Sequence, residues 1–297
     1  MTIDVTQLPA PDLGGEPTDG SPRRRGFARR MFSSKLSIFG VALLIAIVLT
    51  VVVGPLIWRV DPNKQDLLGR FGAPTGEHPL GTDALGRDVL SRVLVGGRLS
   101  LAIAFVCVAL SLVTGALIGL LAGFIGGLTD GIVMRVMDVM LAIPSLLLAV
   151  AIAAALGPGT MSLIMAVVIA GIPGDARLVR SVVTSIRERN YIFAARASGV
   201  RPWRVVTRHV LPNSMSTIVT NAAVAFGFVL LIVGGLGYLG IGAQPPTIEW
   251  GMLLSDSQQY LFNRPIVAIV PGLAIFLTAL AANLVGDALR DGFDTSR

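Results

Sequence analysis

Charged residues are scarce in this chain: only 14% of its 297 residues are Asp, Glu, Lys or Arg, against about 25% in a typical soluble domain. This low content excludes a disordered chain and a soluble nucleic-acid-binding domain, although the net charge is +6. A single cysteine, Cys107, excludes an intrachain disulfide. Only two histidines, His78 and His209, accompany it, so we predict no metal site.

Lysine is almost absent, and Lys35 and Lys64 are the only two. A phosphate-binding P-loop needs a lysine directly after a glycine, whereas these two follow Ser34 and Asn63. We therefore predict that the chain binds no ATP or other cofactor by itself and has no catalytic residues of its own.

Apolar residues make up 53% of the chain and gather into five long stretches without Asp, Glu, Lys, Arg or His. About 20 apolar residues cross the hydrocarbon core of a bilayer as a helix. The stretch 139–174 is too long for one span and contains the turn signal Gly157-Pro158-Gly159. We therefore predict an all-α integral membrane protein with six transmembrane helices, at about 36–58, 99–123, 134–156, 160–178, 214–236 and 265–285.

The first residues differ sharply from the rest, because 1–22 are rich in Pro, Gly, Asp and Thr and basic residues crowd 23–35. We interpret 1–35 as a disordered, basic cytoplasmic tail and 36–297 as the membrane domain. With the N-terminus inside, the cytoplasmic segments hold 17 Lys and Arg residues and the outer segments hold 7. Because basic residues favour the cytoplasmic side, both termini are predicted to be cytoplasmic.

Three connections between the predicted spans are long: outer loops at 59–98 and 237–264, and a cytoplasmic loop at 179–213. Residues 87–98 interleave valine and leucine with arginine, which predicts a helix lying on the membrane surface. Trp58 and Trp250 fit anchors at the membrane–water interfaces.

The predicted spans contain glycine at regular spacing but no ionisable side chain near their middle. The missing acids argue against a proton-driven carrier. In the second span, glycine recurs at every fourth position on one helix face, where another helix could approach closely, from the same subunit or from a second one. These glycines are Gly115, Gly119, Gly123 and Gly127.

The cytoplasmic loop has the pattern of a helix, a turn and a second helix. Ala194 and Ala195 favour a helix, and Gly199 is a natural helix stop. Pro202 suits the first turn of the second helix, which we predict over 202–211. A short helix held across the membrane surface could contact a soluble partner or rest on anionic lipid.

This loop resembles the EAA loop of bacterial ABC importer permeases, in which Glu-Ala-Ala precedes a glycine and a final Leu-Pro. Ala194-Ala195, Gly199 and Leu211-Pro212 keep the spacing of that pattern. Phe193 stands in the place of the glutamate and His209 in the place of an isoleucine, so no role of that glutamate carries over. The resemblance implies that cytoplasmic ATPases contact the loop, at Ala194, Ala195, Gly199, Pro202, Trp203, Leu211 and Pro212.

Two more segments resemble the dipeptide, oligopeptide and nickel permeases of the C type. Residues 78–92 read His-Pro-Leu-Gly-Thr-Asp-Ala-Leu-Gly-Arg-Asp-Val-Leu-Ser-Arg, and 244–251 read Gln-Pro-Pro-Thr-Ile-Glu-Trp-Gly. The resemblance covers roughly 28–294. It implies that both segments face a substrate-binding protein, while a cover over the helix ends is the alternative. The residues concerned are Gly81, Thr82, Asp83, Gly86, Arg87, Asp88, Gln244, Pro245, Pro246, Glu249 and Trp250.

The resemblance implies a type I ABC importer permease fold in the bacterial plasma membrane, surrounded by lipid. It implies a B-type permease as partner, separate cytoplasmic ABC ATPases, and an extracytoplasmic binding protein that delivers dipeptides or oligopeptides, with no nucleic acid partner. Nickel or another small solute is the alternative cargo. An ion-coupled carrier and a channel are more distant alternatives, which an inverted repeat and a filter-like carbonyl loop, respectively, would favour.

Overall fold

A computed structural model describes residues 27–32, 34–190, 192, 198 and 200–293, which are almost entirely helical. The helices run, in chain order, over Phe27–Met31 (α1), Lys35–Ile57 (α2), Val89–Ile125 (α3), Gly127–Leu141 (α4), Ser145–Leu156 (α5), Thr160–Arg187 (α6), Pro202–Val205 (α7), Leu211–Tyr238 (α8), Trp250–Ser257 (α9) and Ile266–Phe293 (α10). A π-helical turn, Val206–Val210, lies between α7 and α8. In this part of the chain, β pairing is confined to one isolated bridge, Thr82 with Asp88.

Within the described ranges, α2, α3, α6, α8 and α10 are long and apolar enough to cross a membrane. The pair α4 and α5 provides a sixth candidate span. Helices are favoured in these apolar stretches because lipid offers no hydrogen bonds to an open backbone. The predicted all-α architecture with six spans is confirmed, with one span broken.

The broken span replaces the single helix expected over 134–156. Helices α4 and α5 meet at an angle of 86° across the short break at 142–144. Pro144 has no amide hydrogen, and its ring disfavours helical backbone at Ile143. Pro144 itself has φ −51° and ψ 131° and takes the cap position of α5. Pro144 therefore separates the end of one helix from the start of the next.

Helix α3 begins ten residues before the predicted second span, because Asp88 caps it at Val89. The prediction of a surface helix over 87–98 is therefore wrong, because residues 89–98 form the first part of α3. Val89, Val93 and Leu94 are buried in the protein rather than exposed to lipid headgroups. The arginines are also held by the protein: Arg92 is buried near two carboxylates, and Arg98 donates to the carbonyls of Val51 and Val52.

Helices α3 and α6 lie in close contact along the glycine face of α3. A Cβ atom at Gly119 would overlap the Ala176 carbonyl oxygen, and one at Gly115 would lie 2.6 Å from the Asp175 Cβ. Gly123 likewise faces the backbone of α6 at Arg180. Gly127 is separate from this contact: it begins α4 with φ +61° and has no neighbour within 4 Å of a Cβ position. The face from Gly115 to Gly123 therefore packs two helices of the same chain.

Helix α1 lies within the tail that was predicted to be disordered over 1–35. The Phe27 ring packs against the Phe293 ring with centroids 4.9 Å apart, so α1 contacts the end of α10. Residues 27–31 are therefore helical rather than disordered as predicted. The aromatic pair explains this difference, because it holds α1 against the membrane domain. Residues 1–26 lie outside the described residues.

Candidate functional site

The first predicted outer loop folds into a tight turn structure that leads into α3. Gly86 has φ +73°, and a Cβ atom there would overlap the Asp66 carbonyl oxygen, so the turn requires glycine. The Thr82 hydroxyl accepts a hydrogen bond from a loop amide at 2.7 Å. The Asp83 carboxylate accepts one from the Leu85 amide at 2.8 Å. These bonds fix the conformation of the turn and the directions in which the motif side chains point.

The Asp88 side chain makes several of the contacts that hold this turn together. Its fully buried carboxylate caps α3 by accepting from the Ser91 amide at 2.7 Å. It also lies 2.9 Å from the Trp58 indole nitrogen and 2.9 Å from His78 Nδ1. The Gly81 carbonyl accepts the first amide of α3 at 3.2 Å. The half-buried Trp58 therefore donates its indole N–H to the Asp88 carboxylate, and its place at the membrane interface stays a prediction.

Two arginines connect this turn to α9. Arg87 donates through Nε to Asp83 at 2.7 Å and through a terminal nitrogen to Asp256 at 3.3 Å. Arg92, whose side chain is only 3% exposed, lies 3.4 Å from the same Asp256 carboxylate. The two predicted outer loops therefore form one structural unit, a contact that the sequence patterns alone did not reveal.

Glu249 is completely buried at the start of α9. Its carboxylate accepts from the amides of Gly251 at 2.9 Å and Met252 at 3.0 Å, and from the Ser100 hydroxyl at 3.0 Å. Burial raises the pKa of Glu249 above its ordinary value of 4.5, although these three hydrogen bonds favour the ionised form. Glu249 thus fixes α9 against α3 without reaching solvent.

Trp250 is 1% exposed, so its predicted place at the membrane interface is wrong. Its indole N–H donates to the Val93 carbonyl at 2.8 Å, and its amide donates to the Ser100 hydroxyl at 2.9 Å. The ring packs beside Gly97, where a Cβ atom would come within 2.6 Å of it. Trp250 therefore joins α9 to α3 as part of the core.

The first residues of the second outer motif, 244–247, lie at the surface. Gln244 is exposed and donates to the carbonyls of Gly240 at 3.0 Å and Gly242 at 3.1 Å. Pro245 and Pro246 are also exposed and are joined by a cis peptide bond. Pro245 lines a cavity of ≈ 410 Å³ between the first loop and α9, which we call the loop cavity. It is lined by Gln65, Asp83, Ala84, Leu85, Arg87, Val89, Arg92, Val93, Pro245, Leu253, Asp256, Ser257, Gln259, Tyr260 and Val267.

Part of the predicted ATPase-coupling loop lies outside the described residues. This part comprises Phe193, Ala194, Ala195 and Gly199. Before it, α6 ends at Arg187 and Ile192 is fully buried. The role of these residues and the helix expected before Gly199 remain predictions.

Beyond this gap, the chain is helical from Pro202, through Trp203, to the end of α8. The helix expected over 202–211 does not stop before Pro212. Instead the Leu211 amide donates to the Val206 carbonyl, five residues back, and the backbone continues into α8. A proline at 212 cannot donate and would clash with the carbonyl four residues before it. The wider π turn accommodates that missing bond without ending the helix.

Apolar side chains hold this segment against the end of α6. Val205 and Val210 are fully buried, and they share a core cluster with Val183, Ile186 and Ile192. Movement of α7 must therefore displace this cluster or carry α8 with it, because close-packed cores transmit strain.

Asp175 is a buried acid that the sequence pattern misplaced. It lies in the middle of α6, is 8% exposed, and accepts hydrogen bonds from Ser111 at 2.9 Å and Asn221 at 3.3 Å. We expected no ionisable group near the middle of a span because the predicted helix ended at residue 178, whereas α6 continues to Arg187. The argument from missing acids against a proton-driven carrier therefore loses its support.

A second cavity, of ≈ 450 Å³, lies among α6, α8 and α10. Seven of its ten lining residues are polar or charged, and Asn221 connects it to the Asp175 hydrogen bonds. Its lining residues are Leu178, Ser216, Thr217, Thr220, Asn221, Val224, Asn283, Asp287, Arg290 and Phe293. We call it the helix cavity.

Comparison with known proteins assigns these features to a family of transporters. Residues 115–297 match the family of binding-protein-dependent transport system inner membrane components. Residues 22–74 match the N-terminal transmembrane domain of oligopeptide transport permease C.

Individual relatives match over nearly the whole chain. A dipeptide transport system permease protein of Alkalihalophilus pseudofirmus is 40% identical, over 99% of this chain and 95% of that protein. A probable D,D-dipeptide transport system permease protein of Escherichia coli is 38% identical, over 88% of each chain. A nickel transport system permease protein of Escherichia coli is 38% identical, over 90% of this chain and 96% of that protein.

These matches agree with the six candidate spans and cover both outer motifs and the coupling segment. They describe a multi-pass membrane component of an ABC transport system, a kind of subunit that is not itself an enzyme. The chain belongs to the family of binding-protein-dependent transport system inner membrane components.

Proposed function

We propose that this chain is the C-type permease subunit of an ATP-driven importer of dipeptides and oligopeptides. A B-type permease would complete the pathway, cytoplasmic ABC ATPases would drive it, and an extracytoplasmic binding protein would deliver the peptide. The observation that carries this proposal is the 40% identity to a dipeptide permease over 99% of the chain. No other cargo is named by a relative of equal coverage and identity among those described above.

The helical continuity from α7 to α8 supports a mechanism for coupling. An ATPase that grips the segment at Pro202–Val205 would act on a helix whose backbone continues through the π turn to Tyr238. Because Val205 and Val210 are packed on the end of α6, a push on α7 would also reach α6. Movement of α8 against α6 and α10 would change the width of the helix cavity, which we place on the peptide path.

We place the chain in the bacterial plasma membrane with both termini in the cytoplasm. The support is the excess of 17 basic residues in the cytoplasmic segments over 7 in the outer ones. After Cys107 is replaced, single cysteines at Ser198 and Thr247 test this orientation. An impermeant thiol reagent added to intact cells should label the cysteine at 247 and leave the one at 198 unlabelled. Labelling at both positions would overturn the topology.

We further propose that ATP is bound and hydrolysed only by the partner ATPases and that this chain holds no cofactor. The support is the absence of a Gly-Lys pair from the sequence. The purified chain alone should hydrolyse no ATP above background, whereas the complex with its permease and ATPase partners should. Hydrolysis that purifies with this polypeptide by itself would contradict the proposal.

Transport by the reconstituted complex tests the cargo. Proteoliposomes that contain both permeases and the ATPases should take up a labelled dipeptide when ATP and the loaded binding protein are supplied. Nickel is the second candidate, because a nickel permease is 38% identical over 90% of the chain. ATP-dependent uptake of ⁶³Ni²⁺ without peptide uptake would replace the peptide assignment.

A further inference from the structure

The loop cavity contains a balanced set of charges on the predicted outer side of the membrane. Its lining includes two guanidinium groups, Arg87 and Arg92, and two carboxylates, Asp83 and Asp256. Its volume of ≈ 410 Å³ falls within the range of small-molecule pockets, roughly 300–1,000 Å³. Val93, Leu253 and Val267 add an apolar wall. A cavity of this composition suits a small ligand that carries both charges and an apolar side chain.

The two guanidinium groups are not paired equally well. Arg87 Nε lies 2.7 Å from Asp83, which is the distance of a strong charge-assisted bond. The contacts to Asp256 are longer, at 3.3 Å from Arg87 and 3.4 Å from Arg92. Arg92 is also 3.5 Å from Asp83 and 3.3 Å from the Pro62 carbonyl. Among the residues that the structure describes, Arg92 is therefore a buried cation whose polar contacts are all long.

Of the four charged side chains in the loop cavity, Asp256 is the one that another carboxylate can most easily replace. Its side chain is 42% exposed, whereas those of Arg87 and Arg92 are 13% and 3% exposed. A carboxylate at this position can move toward solvent at little cost, and another carboxylate could then approach the two guanidinium groups. Arginine is well suited to this exchange because its fork of donors matches a carboxylate.

We propose that the loop cavity is a binding site for a small zwitterion of dipeptide size. The ligand carboxylate replaces Asp256 on Arg87 and Arg92, and Asp256 turns to accept the ligand ammonium. The ligand side chain lies against Val93 and Leu253. This inference rests on the proposed peptide transport and adds a first receiving site for peptide that leaves the binding protein.

Charge balance gives the site its selectivity. Before a ligand binds, the two arginines and two aspartates neutralise one another, so the buried cation is never left alone. A zwitterion preserves that balance when it binds, whereas a ligand with only one charged end leaves a charge unpaired. The site should therefore discriminate against peptides blocked at either end.

The proposal is tested by equilibrium binding. The purified complex contains this chain, its partner permease and the ATPases, and the binding protein is left out. The probe is radiolabelled alanyl-leucine, with N-acetylated alanyl-leucine, C-amidated alanyl-leucine and free leucine as competitors. We expect saturable binding, and both blocked dipeptides should compete at least about tenfold more weakly than the unblocked dipeptide. Free leucine that competes as well as the dipeptide would overturn the assignment to a dipeptide.

Two variants give opposite changes in selectivity, which a general loss of folding cannot produce. Asp256→Asn should remove the preference for a free ammonium, so that the acetylated dipeptide competes as well as the free one. Arg87→Gln should weaken the preference for a free carboxylate over an amide, because only Arg92 then faces the ligand carboxylate. Glu77→Gln, which removes an exposed carboxylate outside the cavity, should leave both preferences unchanged. Unchanged selectivity in both cavity variants would place binding elsewhere and overturn the proposal.

The same preparation separates this inference from the proposed function. If the complex transports the dipeptide with its binding protein but shows no saturable binding without it up to about 1 mM, the loop cavity is not a receiving site. That result leaves peptide transport intact. If the complete complex fails to transport any peptide yet takes up another solute, the proposed function is wrong and this inference fails with it.

Discussion

The buried carboxylate of Asp88 lies 2.9 Å from the Trp58 indole nitrogen and so joins the end of α2 to the start of α3. The same carboxylate caps α3 through the Ser91 amide at 2.7 Å and contacts His78. One side chain therefore holds the first loop, the start of α3 and the end of α2 together. Removal of this carboxylate should destabilise the packing of all three.

Replacement of Asp88 tests this convergence. Asp88→Ala removes a helix cap, which is worth about 1 kcal/mol, and leaves the half-buried Trp58 donor without its acceptor, at a cost toward the lower end of about 1–3 kcal/mol. We expect a clear fall in the melting temperature of the detergent-purified chain. Asp88→Asn should be milder because asparagine also caps helices and keeps one acceptor oxygen. Equal melting temperatures for the parent and Asp88→Ala would contradict the role of this carboxylate.

Glu249 should make stability depend on pH. Burial raises its pKa in the folded chain above 4.5, so folding favours the protonated side chain. This contribution is fully present below pH 4.5 and is lost as the pH rises from 4.5 through the raised pKa. The melting temperature of the parent minus that of Glu249→Gln should therefore decrease as the pH rises across this window.

Glu77→Gln controls for the change in net charge in that comparison, because Glu77 is exposed. A difference between parent and Glu249→Gln that stays constant, or increases with pH, would show that burial does not govern this carboxylate.

The contact between α3 and α6 predicts opposite effects for two glycine-to-alanine changes. Gly119→Ala places a methyl group against the Ala176 carbonyl oxygen, so α3 and α6 must separate. We expect the free energy of unfolding to fall by about 1–3 kcal/mol, as it does when a core is overpacked. Gly131→Ala, in α4, meets no atom within 4 Å and should be neutral or stabilising by up to about 1 kcal/mol.

Thermal unfolding of both variants in the same detergent measures this contrast. A Gly119→Ala chain as stable as the parent would mean that the helices can separate freely, and the close approach would then have no energetic importance.

Gly199 is expected to end a helix with positive φ, a conformation that glycine adopts at little cost. A β-branched residue there should add strain of about 1–3 kcal/mol. Gly199→Val should therefore insert normally into the membrane, bind the ATPases weakly and lose peptide uptake. Pro202→Ala should be milder, because alanine also fits a first helical turn.

Membrane level, ATPase co-purification and peptide uptake should be measured together for these two variants. Wild-type uptake by a normally inserted Gly199→Val chain would remove the loop from the coupling mechanism. Failure to insert would show instead that the loop serves the fold.

The positions of the spans followed from the sequence because their physical cause is local. An uncharged run of about 20 residues must form a helix in lipid, whatever its neighbours are. The glycine spacing likewise predicted a close helix contact, and α3 meets α6 along the face from Gly115 to Gly123. Exact ends were harder to predict: α6 extends beyond the apolar run to Arg187, and α3 begins at Val89. Charged residues can continue a helix outside the lipid, so charge alone does not mark its end.

The sequence by itself determined a helical membrane protein, its approximate spans and, through its motifs, its resemblance to a permease. Only the tertiary structure decided that Arg92 meets Asp256, that Glu249 meets Ser100, and that Trp250 is a core residue. Their partners lie on helices separated by more than a hundred residues, and periodicity describes only neighbours along one helix. Burial and pairing depend on which helices pack together, and that choice follows from the shape and charge of the whole assembled chain.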